Sequence, residues 1–229
     1  MLWQNNGDKK YQSQTIPPAF PQIPEITGQG GEDSKAEMKV LNLYAGIGGN
    51  RKLWTDVEVT AVEIDSLIAK KYQDFFPKDL VLVDNAHQYL LNHYKEYDFI
   101  WSSPPCQSHS GCNNFLHAQG IIRYPEMSLW QEIIFLRKWC KCKWVVENVR
   151  TYYEPLLKPQ WIGRHYLWAN FLIRQFPQPK NEIGKMHNRG GKRGQAHDKS
   201  QIEHNMVNPY LGLHILNESK RDIQAELFR

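Results

Sequence analysis

From residue 38 onward the chain alternates short apolar runs with segments whose apolar residues recur at helical spacing. Val40 to Tyr44, Val57 to Val62, Leu80 to Val83, Tyr97 to Trp101 and Trp144 to Val149 are compact runs that read as strands. Between them, Ser66 to Phe76 and Ala86 to Tyr94 read as helices, the first stopped by Pro77. A further helix is expected from Ser128, with Ser128 and Gln131 as a capping-box pair and Leu129, Ile133, Leu136 and Cys140 on its buried face. This alternation predicts an α/β fold, a mainly parallel open sheet with helices on both faces. Ligands bind such sheets beyond the carboxyl ends of the strands. The turn Gly46 to Gly49, Glu63, Asp84, Cys106 and Glu147 all fall there.

The flanking segments lack that pattern. Residues 1–37, with Pro17, Pro18, Pro21 and Pro24 followed by Gly28, Gly30 and Gly31, are expected to form an extension or arm. Residues 38–174 form the expected catalytic core, 175–203 a short polar and basic loop, and 204–229 a return segment with a helix from Pro209. A chain of 229 residues accommodates one substantial core. No run approaches the roughly 18 apolar residues of a membrane span, and the N-terminus lacks a signal peptide's layout. A cytoplasmic protein that does not engage a membrane is therefore expected.

Composition narrows the chemistry. The 28 basic and 24 acidic residues give a mild net charge of +4, which permits a polyanionic partner without requiring one. The cysteines, at 106, 112, 140 and 142, form neither a disulfide framework nor a Cys-x-x-Cys pair. Cys140 and Cys142, two positions apart at a helix end, are expected to point in different directions, and no metal site is expected. Cys106 is then a free thiol, displayed on a stiff loop by Pro104 and Pro105 within Ser102-Ser103-Pro104-Pro105-Cys106-Gln107. The glycine turn can bring backbone amides close to a ligand. Glu63 is placed to accept from ribose hydroxyls, and Asp84 from an exocyclic adenine amine. On these features alone a nicotinamide dinucleotide fits as well as other adenosyl cofactors.

The three motifs Tyr44-Ala45-Gly46-Ile47-Gly48-Gly49, Pro105-Cys106-Gln107 and Glu147-Asn148-Val149 each stand at the far end of a strand or just after it, in this order. In them the chain resembles the cytosine carbon-5 DNA methyltransferases. The resemblance implies a Rossmann-like S-adenosylmethionine-dependent methyltransferase fold, with S-adenosylhomocysteine as product and no metal. It implies a cofactor pocket lined by Tyr44, Ala45, Gly46, Gly48, Gly49, Glu63, Ile64, Asp84, Asn85 and Pro104. Asn205 and Val207, in His204-Asn205-Met206-Val207, match the family's late Gly-Asn-x-Val motif except that His204 replaces glycine. An ordinary entry into the helix at Pro209 reads the same segment equally well.

The implied catalytic residues are Cys106, Glu147, Asn148 and Arg164, the last where the family carries a Gln-x-Arg-x-Arg strand, here with one arginine kept. A thiolate adding at carbon 6 of cytosine makes carbon 5 nucleophilic, while Glu147 bonds or protonates ring nitrogen 3. A Cys106–His109 hydrolase dyad would leave the glycine and acid motifs unexplained. The implied partner is double-stranded DNA with its target base flipped out. Gln107 and Ser108 would meet it beside the nucleophile, with Ser108 to Asn114 as a loop able to close. Lys185, Arg189, Lys192 and Arg193 would follow phosphates or read guanine. The basic segment is too short for a separate recognition domain, so a homodimer, a second recognition subunit or help from the N-terminal arm is compatible with it. Two other readings stand beside this one: a tRNA cytosine-5 methyltransferase, and a nucleic-acid-binding subunit of the same fold without activity.

Overall fold

The computed structural model describes residues 37–177 and 206–221. The expected arm, the basic positions Lys185, Arg189, Lys192 and Arg193, and Asn205 lie outside these residues. Seven strands form one sheet: β1 (Met38–Leu43), β2 (Val57–Glu63), β3 (Leu80–Val83), β4 (Phe99–Ser102), β5 (Lys143–Val149), β6 (Gln160–Ile162) and β7 (His165–Ala169). Their order is β3-β2-β1-β4-β5-β7-β6. The first five run parallel, and β7 is antiparallel to both β5 and β6. Chain order reverses between β1 and β4, so the crevice at their carboxyl ends is the natural ligand position.

Strand periodicity assigns each residue to one of two packed faces. Val40, Val59, Phe99, Trp101, Val145 and Leu167 pack on one side with Trp54 and with Leu211, Ile215 and Leu216 of the last described helix, α5 (Pro209–Ser219). Leu41, Leu43, Val62, Ile100, Trp144 and Val146 pack on the other with α2 (Ala86–His93) and α4 (Ser128–Trp139). Helix α1 (Ser66–Phe75) is capped by Asp65, whose carboxylate accepts from the amides of Leu67 and Ile68, and it buries Ala69 and Tyr72. The expected Rossmann-like methyltransferase architecture, a mainly parallel sheet with helices on both faces, is therefore observed. Among the described residues no helix is long and apolar enough to cross a membrane.

Two local expectations are corrected. Ser128 is the first residue of α4 and not its cap: Met127 holds that position without a side-chain bond, and the Ser128 hydroxyl donates to Glu126 instead. With Met127 as the cap, the Gln131 amide that a capping box would bring to the serine oxygen donates to the Met127 carbonyl instead. Cys140 and Cys142 do not diverge, because the helix stops at Trp139 and extended backbone at Cys140 brings the two sulfurs within 2.9 Å. In the segment Ser108 to Asn114, Ser110 bridges Thr151, the Gly111 amide donates to the Arg150 carbonyl, and the short helix α3 (Asn113–Ala118) starts inside it.

Helix α5 crosses the chain just after the glycine turn so closely that a Cβ on Gly212 would lie 2.1 Å from the Asn50 carbonyl oxygen. Alanine is favoured over glycine in a helix by about 1 kcal/mol. No rotamer relieves a clash between Cβ and backbone, and overpacking costs about 1–3 kcal/mol. Gly212→Ala is thus expected to lower the urea midpoint at unchanged m-value, against the direction of helix propensity.

Candidate active site

The glycine turn leaves β1 through two residues in left-handed geometry, Tyr44 (φ 54) and Gly46 (φ 55), and Gly48 follows at φ 76. At Gly48 a Cβ would also strike Phe76 and Tyr72, so glycine is required twice over. Above Gly46 a Cβ would meet nothing within 4 Å, leaving that backbone open to a ligand. Glu63, at the end of β2, holds the turn: one carboxylate oxygen accepts from the Gly46 amide at 2.9 Å and the other from the Asp65 amide at 3.1 Å. Ile64 and Val83, beside Glu63 and Asp84 at the ends of neighbouring strands, are exposed apolar residues. Asp84 accepts from the Asn85 amide, and Asn85 caps α2.

A second carboxylate ties the turn to the cysteine loop. Glu132 of α4 is fully buried and accepts from the Tyr44 hydroxyl (2.5 Å) and the Ser102 hydroxyl (2.7 Å), with His87 Nδ1 at 2.9 Å. Burial first, and the Glu132 charge second, push the Tyr44 phenol far above its ordinary range, so it remains a donor. His87 is raised chiefly by its hydrogen bond to Glu132.

Beyond Ser102 the chain enters the two prolines, and the buried Asn148 amide donates to the Pro104 carbonyl at 3.0 Å. Asn148 thus holds the loop that displays the half-buried Cys106. The Cys106 thiol is raised, first by burial and then by the charge of Glu147, with Arg164 opposing. Glu147 is itself fastened on both oxygens. Oε2 accepts from Ser103 Oγ at 3.0 Å, and Oε1 meets His165 Nδ1 at 2.6 Å. Ser103 Oγ in turn accepts from the indole of Trp101.

Sequence reading missed two residues here. Glu132 could have been found as an acid on the apolar face of α4, beside Leu129, Ile133 and Leu136. His165 faces Glu147 because Gly163 (φ 57) and Arg164 make the turn between β6 and β7. Arg164 is therefore on the turn, not on a strand, and its Nε donates to His165 Nε2 at 3.4 Å. Of the expected residues, the structure brings together Cys106, Glu147, Asn148 and, through its charge, Arg164. Tyr44, Ala45, Gly46, Gly48, Gly49, Glu63, Ile64, Asp84 and Asn85 cluster at the ends of β1 to β3. Val207 turns its side chain into the core, but its carbonyl would lie 2.7 Å from a Cβ on Gly49, so the segment does return to the turn. It then enters α5 with Asn208 as cap, as the reading of an ordinary helix entry expects. Gln107 is exposed, and Ser108 Oγ accepts from the Glu126 amide. The His109 imidazole bonds the Tyr153 hydroxyl, while its backbone amide donates to the Cys106 carbonyl.

Comparison with known proteins is consistent with this layout. The family model described as C-5 cytosine-specific DNA methylase matches residues 38–156. No curated protein matches. Among solved structures, the chain is similar to a DNMT2 mutant from Spodoptera frugiperda (29% identity, TM-score 0.37), over 49% of this chain and 35% of that one. It is similar to a putative DNA modification methyltransferase encoded within an Escherichia coli prophage (21%, TM-score 0.35), over 51% and 33%. The chain thus spans about a third of the length of these two proteins.

Because Glu147 and His165 are both buried, truncating the imidazole strands a carboxylate oxygen away from water. An unsatisfied buried group costs about 1–3 kcal/mol. His165→Ala should lose that much in urea unfolding, and His165→Asn, whose amide can donate from nearly the same place, should recover part of it.

Proposed function

Since the chain belongs to the C-5 cytosine-specific DNA methylase family, we propose that it transfers a methyl group from S-adenosylmethionine to carbon 5 of cytosine in DNA. The observation that carries this reading is the convergence of Cys106, Glu147 and the Gly46–Glu63 turn at one end of the sheet. The open space over Gly46, the lone pairs left on Glu63 and the exposed Ile64 and Val83 suit an adenosyl group. When bound there, S-adenosylmethionine supplies an electrophilic methyl.

Cys106 Sγ adds to carbon 6 of a flipped cytosine, and Glu147 shares or gives a proton at ring nitrogen 3, so electron density builds at carbon 5. After carbon 5 is methylated, it loses its proton and the Cys106 thiolate leaves. Glu147 also governs when the thiol becomes reactive. Its charge is one cause of the raised Cys106 pKa, so a proton held between Glu147 and the base removes that contribution. In this reading the nucleophile is activated only with a base in place. Asn148 and the two prolines position Cys106, while Arg164 opposes the acid's charge and would contact the base or a phosphate. Double-stranded DNA is the proposed partner, with the basic positions of residues 175–203 supplying phosphate contacts.

Transfer of labelled methyl from S-adenosylmethionine to DNA and to tRNA tests the proposal. Label is expected on DNA, located at carbon 5 of cytosine, and none with Cys106→Ser. Label on tRNA alone would replace the DNA reading, and none on either polymer would leave the inactive-subunit reading. The coupling has its own test: at pH 8, Glu147→Gln should make Cys106 alkylate faster than in the wild type by peptide-resolved mass spectrometry. An unchanged or slower rate would show that burial alone sets the thiol's reactivity.

A further inference from the structure

At the opposite end of β5 from Glu147, the link between α4 and β5 carries Cys140 and Cys142. Both are free and half-buried, and their sulfurs are 2.9 Å apart. The link is held by Asn170, whose side-chain amide donates to the Cys142 carbonyl at 2.8 Å and accepts from the Trp144 amide at 3.0 Å. Arg137, Lys138, Lys141 and Lys143 surround the pair in sequence with no acid among them, and Asp98 is the carboxylate that acts on Cys142. Cys140 and Arg137, together with Lys158, line a cavity of about 730 Å³ whose other walls include Trp144, Trp168 and Leu172. Clefts of roughly 300–1,000 Å³ take small-molecule ligands. None of these groups has a role in the methyl-transfer reading.

We propose that Cys140 and Cys142 form a thiol–disulfide exchange site that accepts a small anionic disulfide, of the glutathione disulfide class, through this cavity. The two thiols are not equivalent. Hydrogen bonding from Cys142 is the main cause lowering Cys140, against its burial, and the same bond is the main cause raising Cys142. Cys140 lines the cavity and Cys142 is not among its walls, so Cys140 is the attacking thiolate and Cys142 the resolving thiol. The Cys140 thiolate attacks one sulfur of the incoming disulfide, forming a mixed disulfide and expelling one thiolate. Bonding of Cys140 removes the hydrogen bond and charge that held the Cys142 proton. Cys142 then loses that proton to solvent and attacks the Cys140 sulfur, expelling the second thiolate. In sum, two protein thiols are oxidised to one disulfide, and the small disulfide is reduced to two thiols. A ring closed by cysteines with one residue between them is strained, and strained disulfides are the readily reduced ones. The site is therefore reversible.

The test is exposure of the purified full chain to glutathione disulfide, quenching with iodoacetamide and mass spectrometry of the chymotryptic peptide Cys140–Trp144. The expected product has lost two hydrogen atoms, carries no alkyl group, and regains two alkylatable thiols after dithiothreitol. Cys142→Ser should stop at a glutathione adduct on Cys140, and Cys140→Ser should slow reaction at Cys142 by about tenfold or more. Arg137→Glu with Lys158→Glu should slow oxidation by glutathione disulfide while sparing oxidation by neutral hydroxyethyl disulfide. The proposal is overturned if both thiols still alkylate after exposed Cys112 has reacted. It is equally overturned if the wild type accumulates the Cys140 adduct as fully as Cys142→Ser does, or if the charge reversals leave the rate with glutathione disulfide unchanged.

Discussion

One buried carboxylate holds the functional end of the sheet together. Glu132 reaches from α4 to Tyr44 at the start of the glycine turn, to His87 on α2, and to Ser102 where β4 gives way to the cysteine loop. A carboxylate without solvent is tolerable only when its oxygens are bonded. The three donors therefore have to stay in place together, and the spacing of the glycine turn and the cysteine loop follows from that demand. On the other face, the bidentate Arg51–Asp79 pair, joined by the Tyr72 hydroxyl, fixes the residues after the turn to the approach to β3.

Glu147 repeats the arrangement where chemistry is proposed. It is held by Ser103 from the loop that carries Cys106 and by His165 from β7. The antiparallel strand beside β5 has a function of its own here, because its register sets Val149 opposite His165 and brings the imidazole to the acid two residues earlier. With Asn148 bonded to Pro104, β5 contributes both the proposed acid and the anchor of the proposed nucleophile's loop from adjacent residues. The strand alternates faces, so the acid and the anchor can work from opposite sides of it.

Much of this was legible before any coordinates. Mostly apolar runs of four to six residues predicted β1 to β5 because a parallel strand is buried on both faces and leaves a near-continuous apolar signature. Gly46, Glu63, Asp84, Cys106 and Glu147 were placed at one end because each follows such a run or stands near its far end. The β6–β7 hairpin was less readable. Gln160 to Ala169 mixes exposed and buried positions, and the turn at Gly163 takes Arg164 off the strand and sets His165 against Glu147. Ser128 and Gln131 had the spacing of a capping box, yet the helix begins one residue earlier than that spacing implies and the Met127 carbonyl takes the Gln131 amide.

The sequence by itself therefore determined the alternation of strands and helices, the family motifs and the end of the sheet where they gather, since these follow from local periodicity and from residues that succeed a strand. Only the tertiary structure decided which side chains meet. Glu132 with Tyr44, Ser102 and His87, Glu147 with His165, and Cys140 with Cys142 each depend on strand register or on where a helix stops. A shift of one residue in either turns a side chain to the other face.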